Sequence, residues 1–201
     1  MTQQNTNYKN ASRPLLDKEQ RESKYGWISR RYGSALSALA GNDNEVVDGF
    51  GTDPWPTEEK TDEYVPFQVE VPITVEDIID IHDKMVDDFG GEFGLRDESL
   101  LESIHDAPYT EFFGQEQYPE ILDKAAKYLF DFTYYQVFID GNKRTGLAVV
   151  NHYLSGNGLF LDMPVTKAYE LVMSIANHGV KDSKDLVPIL EQTLTTRPTN
   201  L

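Results

Sequence analysis

The sequence predicts an all-α fold carrying a short hairpin or loop flap and preceded by an N-terminal extension, on three observations. Past Val65, apolar residues recur at helical spacing in one segment after another. Those segments open on residues that cap helices, Thr74, Asp97 and Ser183, and glycines stand where several of them close. A chain of 201 residues with 39% hydrophobic content supplies one core of ordinary size plus an extension, which argues against two independent domains.

Residues 1–14 are polar without apolar period and read as disordered. Over Leu15 to Ala40 a helix or two is expected, because Trp27, Ile28, Tyr32, Leu36 and Leu39 stand near helical spacing, although Gly26 and Gly33 weaken it. Residues 42–63 hold eight acidic residues, one lysine, two glycines and two prolines, and read as a linker. The chain therefore divides into an extension, 1–64, and a domain, 65–201, and a fragment starting near Tyr64 is expected to fold alone. In the domain, Thr74 with Asp77 caps a helix whose Ile78, Ile81, Met85 and Phe89 share one face, and Gly90-Gly91 stops it. Asp97 caps a second helix with Leu100, Leu101 and Ile104 inward, ended by Pro108. Residues 108–119, PYTEFFGQEQYP, lack helical period and read as an exposed loop or hairpin. Pro119 opens a long helix running to Phe138 along Ile121, Leu122, Ala125, Leu129 and Phe132. Another starts at Asn142 or Lys143, carries Leu147, Val150, Tyr153 and Leu154, and ends at Gly156 or Gly158. Two more cover about 166–177 and 184–193, the last kinked or begun late at Pro188.

With 18 basic and 34 acidic residues the formal charge is −16, which disfavours phosphate backbones and anionic membranes as partners, so no nucleic-acid and no membrane interaction is expected. The chain has no cysteine, which fits a reducing compartment, and neither a signal peptide nor an apolar run of about 18 residues is seen. A soluble, cytoplasmic protein is expected.

The stretch FTYYQVFIDGNKRT, 132–145, carries the chemistry. A helix, a tight Gly-Asn turn and a new helix opening at Lys-Arg offer an anion three things: unpaired N–H groups, the positive end of a dipole, and a glycine that lets the backbone come close. Lys143 and Arg144 can add charge-assisted bonds to phosphate, Asn142 can donate its amide, and Asp140 can hold a magnesium ion bridging two phosphates. Together they suit ATP or another nucleoside triphosphate. The plainer alternative is a helix-helix connector with Lys143 and Arg144 solvated.

FIDGNKRTGLA resembles the signature of the Fic and Doc (death-on-curing) superfamily, whose Doc-like branch reads His-Pro-Phe-x-Asp-Gly-Asn-Lys-Arg-Thr. ITVEDIIDIHDKM, FGGEFGLRDESLLESI, the loop at 108–119 and NGL at 157–159 resemble further landmarks in the expected order, over about residues 70–194. The resemblance implies a compact helical domain that transfers a phosphoryl or nucleotidyl group from ATP, with Mg, to a hydroxyl of a target protein, a translation elongation factor in the Doc branch. It implies catalytic positions at Gln136, Asp140, Lys143 and Arg144, and nucleotide contacts at Phe138, Gly141, Asn142, Lys143 and Arg144. Target-binding positions are implied at Tyr109, Thr110, Glu111, Phe112 and Phe113, which would align the target by strand pairing. Lys143, where most AMP-transferring members have glycine, favours the Doc branch, and Leu147 stands where those members carry a second arginine. An antitoxin is the implied partner, and no copy of the family's inhibitory helix motif is seen.

The motif histidine falls on Gln136, and an amide cannot accept a proton near neutral pH as imidazole can. None of His82, His105, His152 and His178 stands out as its replacement. Three explanations stay open: an inactivating substitution, a natural variant that binds without catalysing, or a transfer that needs no imidazole. Val137, where the signature has proline, favours a natural variant. Two function classes follow: a transferase, impaired as written, or an inactive module that holds a nucleotide or a partner protein.

Overall fold

The computed structural model describes residues 11–41, residue 46 and residues 70–196. Residues 1–10 and the acidic stretch 42–63, except Val46, lie outside them. Among the described residues, α1 spans Lys18–Leu39, α2 Val75–Phe89 and α3 Glu98–Asp106, followed by a 3-10 turn over Ala107–Tyr109 and the hairpin of β1 (Glu111–Phe112) and β2 (Gln115–Glu116). Then come α4 (Ile121–Tyr134), α5 (Asn142–Gly156), β3 (Leu159–Leu161), α6 (Val165–Ala176), a 3-10 turn over Ser183–Leu186, α7 (Val187–Glu191) and β4 (Leu194–Thr196).

Local signals account for most boundaries. Thr74 and Asp77 form a reciprocal capping box at the start of α2, and Gly90, with φ of 77°, ends it. Asp97 accepts from Leu100 N at 3.0 Å and opens α3. Pro188 sits in the first turn of α7, where its missing N–H costs nothing, so the last helix starts late and a 3-10 turn capped by Asp182, not Ser183, precedes it.

Several elements differ from expectation. α4 stops at Tyr134 instead of reaching Phe138, because the backbone after it pairs elsewhere: Arg96 N donates to Val137 O at 2.9 Å and Ile139 N to Gly94 O at 3.0 Å. Leu95 and Phe138 thus form an isolated antiparallel bridge, and Gln136 turns into it with φ of 42°. The strands β3 and β4 pair antiparallel, Leu159 with Thr196 and Leu161 with Leu194. Three residues are too few to display a period of two, so the sequence shows no strand there.

α1 is the larger difference. Grouped by sequence with an extension, it buries Tyr25, Ile28, Tyr32, Ala35 and Leu36 completely in the hydrophobic cluster shared with α2, α4, α5 and α6. A boundary at residue 64 therefore divides a single core. Residues 11–14, expected to be disordered, lie on α2: Ser12 Oγ donates to Glu76 at 2.7 Å, and Arg13 pairs with Asp77 and Asp80 at 2.8 Å each. Arg21, itself 1% exposed, binds Asp87 at 2.5 Å and lies 3.9 Å from Asp83.

Tyr25 of α1 also meets His152 of α5 edge-on, ring centroids 5.1 Å apart. Burial pushes the His152 pKa down to about 4, against a partial opposing pull from Asp77. A histidine that stays neutral in the fold but charges at about 6.5 when unfolded stabilises the protein fully above that value, and the contribution is lost as pH falls toward 4. Urea unfolding at pH 7 and pH 4.5 is expected to show a drop of about 2 kcal/mol from this group, and His152→Gln is expected to remove that part of the slope.

Candidate functional site

The turn between α4 and α5 is built from below. Gly141 takes a left-handed φ of 77°, and its N–H donates to the carboxylate of Asp140 at 2.5 Å. The first bond of α5 closes from Thr145 N to Gly141 O at 2.9 Å, so the N–H groups of residues 142–144 lie outside the helical ladder. Asn142 spends its side chain on the turn itself: Oδ1 accepts from Phe138 N at 2.8 Å and Nδ2 donates to Phe138 O at 2.9 Å. Its expected role as an amide donor to a ligand is thus taken over by a clamp on the motif backbone.

Phe138 is fully buried and stacks on His82, with ring centroids 3.9 Å apart and planes at 6°. His82 also meets Asp83 at 3.1 Å through Nδ1 and the carbonyl of Asp140 at 3.2 Å through Nε2. Phe138 therefore supports the turn from inside rather than lining a ligand space.

Arg144 does the same. Its guanidinium donates through Nη1 to Met85 O at 3.2 Å and Gly90 O at 2.7 Å, while Nη2 lies 3.5 Å from Asp140 Oδ2. Only 1% of it is exposed, and burial pushes its pKa down, with Asp140 pulling the other way. The expected phosphate ligand is a strut tying the end of α2 to the turn.

The loop after α2 closes this assembly. A Cβ on Gly91, whose φ is 117°, would lie 2.3 Å from Asp140 Oδ2 and 3.0 Å from Arg144 Nη2. Gly91 stops a helix, as the sequence suggests, and also admits the motif carboxylate. Gly91→Ala is expected to cost about 1–2 kcal/mol in backbone strain alone, which in a chain of this size lowers Tm by roughly 2–8 °C in a thermal melt.

What remains open toward solvent is a cleft of about 300 Å3 lined by Gln136, Asp140, Gly141, Asn142 and Lys143, together with Leu39 of α1, Met173 of α6, and Asn177 and His178 just after α6. Among the described residues the Lys143 ammonium has neither an ion pair nor a hydrogen bond. Gln136 is exposed, and its Oε1 accepts from Arg96 Nη1 at 3.4 Å while Arg96 Nη2 donates to Ile139 O at 3.3 Å. Asp140 is half exposed, and among the described residues no group of three or more His, Asp or Glu side chains is assembled to hold a metal ion. A single carboxylate fits magnesium, which keeps waters and takes its other ligands from phosphates.

The expected target-binding segment forms the hairpin flap. Phe112 and Phe113 are 64% and 93% exposed, and Glu111 and Thr110 are exposed beside them. Tyr109 anchors the base, donating to Glu70 at 2.8 Å; Tyr153 and Lys124 bind the same carboxylate at 2.8 Å. Burial would raise the Glu70 pKa, but these three donors outweigh it and leave it below the usual range.

Residues 72–154 match the family model described as "Fic/DOC family". Over 90 residues, 44% of this chain and 69% of the other, the sequence is 37% identical to "Toxin Doc" of Mycolicibacterium smegmatis. The chain belongs to the Fic/DOC family. The part matching the Fic/DOC model runs from just before α2 to near the end of α5, so the turn lies inside it, whereas Leu39, Met173, Asn177 and His178 do not. Among the described residues no helix is long and apolar enough to cross a membrane.

Arg96 carries no signal of its own in the sequence, and His82 and His178, weighed there only as stand-ins for the base, do not stand out. Arg96 and His82 stand in segments that resemble family landmarks, but their contacts with Gln136 and Asp140 span some 40 to 58 residues of sequence, which no local period reveals.

Proposed function

We propose that this chain binds Mg-ATP or another nucleoside triphosphate in the cleft at the start of α5, and that it is a Doc-like, toxin-type transferase whose reaction is slowed by Gln136. The observation that carries the reading is Lys143: an ammonium with no anionic partner among the described residues, beside three helix N-terminal N–H groups, in a protein of net charge −16. Acidic side chains are abundant, yet among the described residues none neutralises it, which suits a phosphate site. Asp140 would hold the magnesium and Gly141 would let phosphate approach the backbone. The triphosphate supplies the group transferred to a hydroxyl of a target protein, which the Fic/DOC resemblance suggests is a translation factor. The exposed flap at 109–113 would present the target, and the toxin name of the relative makes an antitoxin the expected regulatory partner.

Calorimetry with Mg-ATP tests the binding step. Lys143→Gln is expected to weaken affinity by about tenfold or more, since a charge-assisted bond to phosphate contributes about 1.5–3 kcal/mol. Equal heats from both proteins would remove Lys143 from the reading. A second reading, a module that binds without transferring, is favoured by Gln136, whose amide accepts from Arg96 but cannot take a proton. It predicts Mg-ATP binding with no labelled phosphate or nucleotide reaching any protein, however long the incubation.

A further inference from the structure

Resting on the transferase reading, we propose that His178 is the proton acceptor of this chain, working in the cleft that it shares with Gln136. The four histidines separate clearly. His82 is fully buried, with its two ring nitrogens against Asp83 and the Asp140 carbonyl. His105 is held by Asp106 at 2.7 Å and by Ile73 O at 3.0 Å, away from the cleft. His152 packs on Tyr25 and is likewise absent from the lining. His178 alone lines the space that Gln136, Asp140 and Lys143 share, it is exposed, and among the described residues its ring nitrogens make no hydrogen bond.

Its presentation is fixed by the fold. α6 ends at Ala176, and His178 turns the chain with a left-handed φ of 61° while its N–H donates to Ile175 O at 3.0 Å. The ring then packs edge-on against Tyr134, centroids 5.0 Å apart and planes at 73°. Tyr134 closes α4 two residues before Gln136, so the imidazole is braced against the end of the helix that leads into the vacant position of the base. Of the other titratable groups on this cleft, Asp140 accepts from Gly141 N and is the group that would hold the magnesium, Lys143 is the group that would meet phosphate, and the Tyr134 ring is the surface His178 packs on, so none of the three offers a comparable free nitrogen lone pair.

The step balances without further components. The target hydroxyl loses its proton to the free imidazole nitrogen of His178 as its oxygen bonds to the phosphorus attacked. The bond from that phosphorus to the bridging oxygen breaks, and the leaving group, ADP for attack at the γ-phosphorus or pyrophosphate for attack at the α-phosphorus, keeps the electron pair. His178 ends as imidazolium and returns its proton to water.

The test uses the full chain with Mg-ATP labelled on the γ- or the α-phosphate and a bacterial lysate as acceptor. His178→Asn, chosen because asparagine tolerates a left-handed backbone, and His178→Gln are each expected to lower the transfer rate by about 30-fold or more, on kcat rather than KM. In the Gln136→His background the same substitutions should cost only a few-fold, because the base is then supplied at 136. The imidazole NMR signal of His178 should also move when a non-hydrolysable Mg-ATP analogue is added. Transfer by His178→Asn at the unsubstituted rate, or an imidazole signal blind to the analogue, overturns the proposal. Transfer by Gln136→His with none by the unsubstituted chain also overturns it and leaves the transferase reading standing. No transfer by either removes both.

Discussion

Gln136→His is expected to raise transfer from ATP to a protein hydroxyl by about 10² or more over the chain as it stands. The position is prepared for the exchange. Gln136 has a left-handed φ of 42°, a conformation histidine adopts more readily than most residues, and the bridge between Leu95 and Phe138 holds the following backbone. The side chain is exposed at the cleft, beside Asp140 and Lys143, so an imidazole there would face the same space without repacking the core. The turn beneath needs no adjustment, because Asn142, His82 and Arg144 fix it through backbone groups that the substitution leaves untouched. Labelled transfer into a lysate measures the gain, and loss of viability on expression would accompany it. No transfer by either protein would favour the module that binds without transferring.

Deleting residues 1–41 is expected to abolish cooperative folding. α1 contributes five fully buried side chains, Tyr25, Ile28, Tyr32, Ala35 and Leu36. At about 1.5–3 kcal/mol for each of the larger ones, their loss is comparable with the whole stability of a domain, about 5–15 kcal/mol. It also takes Arg13 from Asp80 and Arg21 from Asp83 and Asp87, three carboxylates whose side chains have no exposure in the intact protein. Burial already pushes the Asp80 pKa up in spite of Arg13, and without that arginine it would hold a charge at far greater cost. Circular dichroism on the fragment should show residual helix with no sharp melt. A fragment that melts cooperatively near the full-length Tm would restore the division at residue 64 read from the sequence.

The sequence is most informative where the cause is local. Thr74, Asp97 and Gly90 act within a turn of themselves, and the helices they bound appear where the pattern puts them. The motif turn is legible for the same reason: glycine, the new helix and the lone lysine are neighbours in the chain. Roles set by distant partners are not. Nothing beside Arg144 announces that its guanidinium reaches Met85 O and Gly90 O, more than 50 residues away, or that Asn142 turns back on Phe138. Charge patterning misled in one place, since the acidic stretch after α1 reads as a division although α1 belongs to the core.

The cleft itself can be read directly. In a 15N-labelled protein titrated with Mg-ATP, the amide signals of Gly141, Lys143 and Arg144 are expected to shift saturably and together, while those of the Glu70, Lys124 and Tyr153 cluster stay in place. The same titration on Lys143→Gln should need about tenfold more nucleotide. Signals at the start of α5 that remain still while the nucleotide binds elsewhere, or does not bind, would contradict a phosphate site at this turn.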